Sequence, residues 1–327
     1  MRLRAYTAFT YTAAALLVAA STTAAVAAPP GKLSPLPPHC TPGPWTHVGT
    51  DTFTLPLGYT RSQGITSDGE GWLFSYQAGL TRTDDAYTPL RANTIAPDIA
   101  VNQPAVDPLT GQNNVGGNHI GDIDVRGGLL YAPIEEGGFN VGVGTLNNPA
   151  HQNSFIALYD AKTLAYTGKK YLLPHDLQTD GVPWVAADPS SGDLYTDEWN
   201  NPHDRLNVYD SELKFQRFLN LSYGPELGVG FRLSRIQGAK ISDHTMYASR
   251  DDDAKTVFSI DLLTGQVKKL FSLDPGVPAE SEGIAIRATA DGALLHVLII
   301  LDNALDTSLD AKNIRVALEH FALPRAC

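Results

Sequence analysis

Apolar residues in this chain fall in short runs, broken by Gly-, Asp- and Asn-rich turns, and one such pattern recurs along most of its length. Residues 117–132 (GNHIGDIDVRGGLLYA) read as two strands and a turn. Asp122-Ile123-Asp124-Val125 alternates polar and apolar, Arg126-Gly127-Gly128 turns, and Leu129-Leu130-Tyr131-Ala132 is an apolar second strand. Four relatives follow the same course. Gln63-Gly64-Ile65 leads to Leu73-Phe74-Ser75, Val182-Pro183-Trp184-Val185 to Leu194-Tyr195-Thr196, Gln237-Gly238-Ala239 to Met246-Tyr247-Ala248, and Glu282-Gly283-Ile284 to Leu294-Leu295-His296. The second-strand cores begin at residues 73, 130, 194, 246 and 294, in steps of 57, 64, 52 and 48. Units of about this length, each with roughly four strands, predict the blades of a β-propeller.

The outer strands repeat as well. Residues 80–84, 155–160, 206–210 and 257–261 each end in an Asp that opens a tight turn into another strand, so these acids are expected to serve backbone geometry. Residues 45–55 (WTHVGTDTFTL) alternate like a strand but precede the first repeat, and only one strand, residues 315–323, fits after the last. The N-terminal strand is therefore expected to complete the final blade and close the ring, because a propeller protects its sheet edges. The fold class is all-β: a five-bladed propeller, or a six-bladed one if a degenerate blade lies between Asp85 and Gly117. The Gly- and Asn-dense segments at 85–117 and 135–153 are candidate lids over one face, or ordinary insertions.

The ends of the chain add a compartment. Arg2 and Arg4, the apolar run at 13–20 and Ala25-Val26-Ala27 make residues 1–27 a candidate export signal, too short to span a bilayer. Residues 28–44 are a Pro-rich leader, and 45–327 form one domain. Cys40 and Cys327 are the only cysteines, so an oxidising compartment gives them one intramolecular pairing, beside the proposed seam. The expectation is an exported, secreted monomer with no membrane span. Its net charge of −11 becomes more negative once the two leader arginines are lost, which argues against a nucleic-acid partner and permits cations or neutral sugars.

Candidate chemistry follows from position. The innermost strands of a propeller line its axis, so the polar residues that precede them gather at one mouth of the channel. These are Arg61 and Gln63; Asn118, His119 and Asp122; Asp180; Arg235 and Gln237; and Glu280 with Glu282. The tetrads Arg-Ser-Gln-Gly at 61–64 and Arg-Ile-Gln-Gly at 235–238 are near copies, and Glu-Ser-Glu-Gly at 280–283 is an acidic variant. Asp122, Asp180 and Glu282 with a Gln amide would suit Ca or another divalent cation, and His119 with the carboxylates a transition metal. Without a metal, His119 and Glu282 are the candidate acid–base pair, and Arg61, Gln63, Asn118, Arg235 and Gln237 the substrate-binding groups. Hydrogen bonding among these groups and channel waters alone is the structural alternative. Elsewhere, Asp251-Asp252-Asp253 reads as a solvated turn, and Trp199 as a rim residue that could stack on a sugar or pack. No GxSxG, HExxH, GxGxxG or phosphate-loop pattern occurs.

The blade sequences SQGITSDGEGWLFS (62–75), EGIAIRATADGALL (282–295) and GDIDVRGGLLYA (121–132) resemble those of secreted open-ring propellers of the lactonase-like and NHL-type groups. The first is also similar to the Gln-Gly blade start of plant-type and bacterial glutaminyl cyclases, which are five-bladed. That resemblance implies acyl transfer, with Gln63 as a channel-lining residue and Trp184 as the single inner-strand channel tryptophan. The readings left open are an exported hydrolase or lyase acting at the axial mouth on a small polar or saccharide ligand, with or without a metal; a cyclase-like acyltransferase; and a non-catalytic propeller binding a cell-wall glycan or a protein. The axial set differs blade by blade, which favours one composite site over repeated pockets.

Overall fold

The alternating runs pair as antiparallel sheets arranged in a ring of five blades. The computed structural model describes residues 44–54, 57–96, 117, 119–135, 154–201, 203–289, 292–301 and 315–324. Cys40 and Cys327, Asn118 and most of the two candidate lid segments lie outside the described residues. The first strand, β1 (Thr46–Phe53), belongs to the last blade. Blade 1 is β2 (Gly64–Ser67), β3 (Trp72–Tyr76), β4 (Gly79–Thr83) and β5 (Pro89–Asn93). Blade 2 is β6 (His119–Ile120), β7 (Asp124–Arg126), β8 (Leu129–Glu135), β9 (Phe155–Asp160) and β10 (Tyr166–Leu172). Blade 3 is β11 (Ala186–Ala187), β12 (Leu194–Thr196), β13 (Arg205–Tyr209) and β14 (Phe215–Asn220). Blade 4 is β15 (Ser222–Tyr223), β16 (Ile236–Ser242), β17 (Thr245–Arg250), β18 (Thr256–Asp261) and β19 (Gln266–Ser272), with β15 lying parallel on the outer edge of β19. Blade 5 is β20 (Ala279–Thr289), β21 (Gly292–Leu301) and β22 (Arg315–Pro324), completed by β1 in the order β1-β22-β21-β20.

The closure foreseen from the sequence is present: Thr46 pairs with Ala322 and Phe53 with Val316. Phe53 continues the seam inward, into a cluster that joins blade 5 (Leu298, Ile300, Val316) to blade 1 (Ile65, Trp72, Phe74). Each of the other four blade–blade interfaces has its own cluster too, such as Leu73 and Leu80 against Ile120 and Leu130 between blades 1 and 2. The apolar faces of each sheet are thus buried against both neighbours, which is why the second strands are apolar at every position rather than alternating. Outer-strand aspartates hold turns, as expected. Asp160 Oδ1 accepts from the Lys162 and Thr163 amides and the Thr163 hydroxyl, and Asp261 does the same with Leu263 and Thr264.

At the axis the ring is closed by backbone. The glycines of the repeated tetrads, Gly64, Gly238 and Gly283, pack against one another and against Asp122: an added Cβ on Gly238 would lie 2.7 Å from Gly283 Cα and 2.8 Å from Asp122 Oδ2, and one on Gly283 would lie 2.6 Å from Gly64 Cα. Gly121 is held as tightly, since its Cβ would meet the Pro183 carbonyl oxygen at 2.0 Å. Hydrogen bonds cross every blade boundary at this level. They are Gly283 N–H to Gln63 O, Ser75 Oγ to Gly121 O, Asp122 N–H to Pro183 O, Arg235 N–H to Trp199 O and Ser249 Oγ to Glu282 O. Gly238→Ala is expected to cost about 1–3 kcal/mol, the range for overpacking, read as a lower denaturant midpoint at unchanged m-value. Gly49→Ala is the control, because its Cβ would meet only His320, at 3.8 Å.

Candidate functional site

The inner strand of blade 2 is broken, and the break builds the site. Between β6 and β7 the chain leaves its own sheet, and Asp122 forms a parallel bridge with Trp184 of blade 3. This sends the Asp122 side chain to the axis, where it is fully buried. Its Oδ1 accepts from the Ile65 amide (3.0 Å), and its Oδ2 accepts from the Ala239 amide (3.2 Å) and the Lys240 ammonium (2.7 Å). Burial pushes this carboxyl up to about 7, with Lys240 and the Ile65 amide pulling against it. Asp124, also buried, takes Thr66 Oγ1 and the Ala187 amide. Blade 2 thus contributes two carboxylates that tie together its neighbours and blade 4.

The mouth lies at the start of the inner strands, beyond Asp122. Bulges turn two of its residues out of the ladder: the register slips between Ile236 and Gly238, at Gln237, and between Ser281 and Ile284, at Glu282-Gly283. A bulge re-aims the side chain of the extra residue, here next to the axis. Gln63 Nε2 then reaches Glu282 Oε1 at 3.5 Å, and Gln237 Nε2 reaches Glu280 Oε1 at 3.3 Å. Glu282 is buried, and burial first, then the Glu280, Asp251 and Asp122 charges, holds its carboxyl well above the ordinary range. Glu280 is also raised, by burial and the Asp251 charge, with His119 opposing. His119 Nδ1 lies 3.1 Å from Glu135 Oε1, the residue opposite it in the β6–β8 register, and Glu135 Oε2 accepts the Val182 amide at 2.6 Å.

Gln63, His119, Gln237, Glu280 and Glu282 therefore stand where the repeat alignment places them. Several other expectations are corrected. Arg61 is buried away from the mouth, its guanidinium 4.2 Å over the Phe53 ring and bonded to the Tyr87 carbonyl. It fastens the closing strand and does not face a ligand. The sister arginine, Arg235, does reach the mouth side, where it pairs with Asp251 at 2.5 Å and lies over Trp199 at 5.5 Å. Trp184 belongs to the blade 3–4 core with no side-chain exposure, so it lines no channel. The trio Asp122, Asp180 and Glu282 is not assembled as a ligand set. Asp122 is committed to Lys240 and two amides, and Asp180 is bonded by Asn200 on the blade 3 rim. Among the described residues, no group of three or more His, Cys, Asp or Glu side chains is disposed to hold a metal ion. Asp251 is no solvated turn: it is buried between Arg235, Lys255 and the Ser281 amide.

Glu135 and Asp251, which the sequence did not bring to the mouth, share a position with Asp197 of the candidate rim: each of the three follows the apolar core of a second strand, in blades 2, 4 and 3 respectively. An acid at the end of such a strand abuts the mouth, and that spacing is the signal that would have found them. Asp197 is the most perturbed of its surroundings, raised well above the usual range by burial, while Glu198 beside it caps Thr179 and Asp180.

No family model matches the chain, and no curated protein does. Solved structures do resemble it. A mutant of the GH43 protein BlXynB from Bacillus licheniformis aligns at TM-score 0.52 and 15% identity, over 84% of this chain and 57% of that one. The GH43 endo-arabinanase from Bacillus licheniformis aligns at TM-score 0.46 and 15% identity, over 82% and 95%. The first likeness shows the shared propeller fold, and the chain spans a little over half of that protein's length.

Proposed function

We propose that the mature chain is exported and acts at the axial mouth as a hydrolase or lyase on a small polar or saccharide ligand. The observation that carries this is Glu282, a carboxyl whose hold on its proton burial strengthens, beside Gln63 and at the same mouth as the His119–Glu135 pair. In this reading Glu282 gives its proton to the leaving oxygen. His119 takes a proton from water or from the substrate through Nε2, with Glu135 fixing the proton on Nδ1. Gln63 and Gln237 bind ligand hydroxyls, and Arg235 with Trp199 forms the outer wall. Burial of Glu282 serves the reaction directly, because an acid must keep its proton at working pH. The likeness to the GH43 protein bears on the fold alone; the reading rests on Glu282 and His119.

The test is a panel of xylan, arabinan, aryl glycosides and N-terminal glutaminyl peptides incubated with the purified mature protein, with products identified by mass spectrometry. Release of sugar supports the reading. Turnover of the glutaminyl peptides alone would favour cyclase-like acyl transfer with Gln63 at the channel. Binding of a glycan without turnover would make the protein a non-catalytic binding propeller. A divalent cation such as Ca is the second reading of the mouth, favoured by Glu280 and Glu282, carboxylates two residues apart on one strand, the first of which raises the proton affinity of the second. It predicts a lower melting temperature and loss of turnover in chelator, both restored by added calcium.

A further inference from the structure

We propose that Arg235 and Asp251 form a relay between the Trp199 rim and the candidate acid, with Asp251 the positioning residue that holds the Glu280-Ser281-Glu282 bulge at the mouth. That role rests on the reading of Glu282 as the acid. β20 is the last strand on the axial side of blade 5, so the amides on its inner edge have no further strand of their sheet to pair with and need acceptors from elsewhere. The Gly283 amide takes the Gln63 carbonyl of blade 1 at 2.9 Å, and the Ser281 amide takes Asp251 Oδ1 of blade 4 at 3.1 Å. Ser249 Oγ, two residues before Asp251, donates to the Glu282 carbonyl at 2.6 Å. The backbone on both sides of Glu282 is thereby pinned from blades 1 and 4, at the point where the ladder to β21 slips.

Asp251 is itself fixed. It lies just past β17, buried, with its Oδ1 also accepting the Lys255 ammonium at 2.7 Å and its Oδ2 the Arg235 guanidinium at 2.5 Å. Arg235 completes the link to the rim. Its amide donates to the Trp199 carbonyl at 2.7 Å, its carbonyl accepts the Asp251 amide at 2.9 Å, and its guanidinium lies over the Trp199 ring. The backbone of Arg235 has φ of 58°, a left-handed conformation that a long side chain seldom adopts and that persists only where surrounding contacts impose it. Arg61, at the same position of its tetrad, ends a 3-10 turn instead, so the tetrad does not demand this conformation; the contacts to Trp199 and Asp251 do.

The relay also sets the charge around the acid. Burial first, then the Glu280, Asp251 and Asp122 charges, raises the Glu282 carboxyl. Glu280 is raised by burial and Asp251, while His119, Lys255 and Arg235 pull it down. Asp251 thus acts on both carboxyls of the bulge, and it screens them from the two cations that it holds. Without its negative charge Lys255 and Arg235 face the bulge uncompensated, and Glu282 gives up its proton at a lower pH.

NMR titration of the glutamate carboxyl carbons in the mature protein, with the Glu282 resonance assigned by its loss in Glu282→Gln, tests this without reliance on turnover. Asp251→Asn is expected to move the Glu282 titration to lower pH. The double variant Asp251→Asn with Lys255→Met should do the same, and it guards against a single variant that fails to fold, because it removes both charges of a buried pair. Asp252→Asn, at the neighbouring acid that accepts the Thr256 amide, should leave the titration in place. On the most active panel substrate the Asp251 variants should lose kcat by up to about 10²-fold, the cost of a misplaced group, with little change in KM and the alkaline limb at lower pH. A Glu282 titration unchanged from wild type in both Asp251 variants, one shifted as far by Asp252→Asn, or wild-type kcat with an unmoved alkaline limb would each overturn the relay. A panel with no turnover would instead overturn the acid reading, and the titration would still show whether Asp251 governs Glu282.

Discussion

Replacing Asp122 with alanine is expected to lower the unfolding free energy by about 3–5 kcal/mol, the cost of breaking a buried ion pair from one side. The change strands Lys240, whose side chain is 4% exposed, without the acid it touches, leaving only the charge of Asp124 nearby, and deprives the Ile65 and Ala239 amides of their acceptor. Because Asp122 touches blades 1, 3, 4 and 5 as well as its own, the loss should appear as one cooperative shift of the whole transition. Asp122→Ala combined with Lys240→Met should recover part of it, since removing both charges costs less than orphaning one. The carboxyl's value of about 7, above its value in the unfolded chain, adds a pH signature. Proton uptake at Asp122 then favours the native state. This contribution is full below about pH 4 and is lost as pH rises through about 7, with a slope of at most about 1.4 kcal/mol per pH unit. Asp122→Asn should flatten that slope. Denaturant melts of the three variants across pH 4–8 measure both effects, and an Asp122→Ala protein as stable as wild type would remove Asp122 from its place as the hub.

The propeller was legible because its repeat is a physical necessity written at fixed spacing. Each second strand is buried on both faces, so Leu73-Phe74, Leu130-Tyr131 and Leu194-Tyr195 carry the same apolar signature. The lone strand at each terminus had no partner except the other. The tetrad glycines were legible as a pattern, but their cause was not. Gly64, Gly238 and Gly283 are glycine because Asp122 and one another occupy the space of a Cβ, and that is a contact between four blades. The same limit explains the misplaced residues. Arg61 and Arg235 open nearly identical tetrads, yet Arg61 faces the aromatic seam made by Phe53, on the strand that completes the last blade, whereas Arg235 faces Asp251. Sequence position gave the approach of Asp122 to the axis correctly and its chemistry wrongly, because the compensating charge, Lys240, sits inside a strand that otherwise reads as apolar core. Glu135 was invisible for a further reason: its bearing on His119 depends on the β6–β8 register, which a broken inner strand does not disclose.

Glu282→Gln is expected to leave the fold intact and to lower kcat on the most active panel substrate by about 10²–10⁴-fold, the contribution of a positioned general acid. The stability side follows from burial. Burial disfavours a charge on this carboxyl, and glutamine has the same shape, carries no charge and can still meet the Gln63 amide, so the melting temperature should stay near wild type or rise. The catalytic side follows from the proton. Glutamine can donate a hydrogen bond to the leaving oxygen but cannot transfer a proton to it, so binding persists and KM changes little while kcat falls. The pH profile separates this from a structural effect. Wild-type kcat should decline on the alkaline side as Glu282 loses its proton, at a pH above the ordinary carboxylate range, and the residual activity of the variant should lack that limb. His119→Gln should instead lower kcat by removing the base while leaving that alkaline limb in place. Steady-state kinetics of the two variants over pH 4–9, with thermal melts of the same samples, decide the matter: full kcat with an unchanged alkaline limb in Glu282→Gln would strip Glu282 of the acid's role and leave the mouth a binding surface.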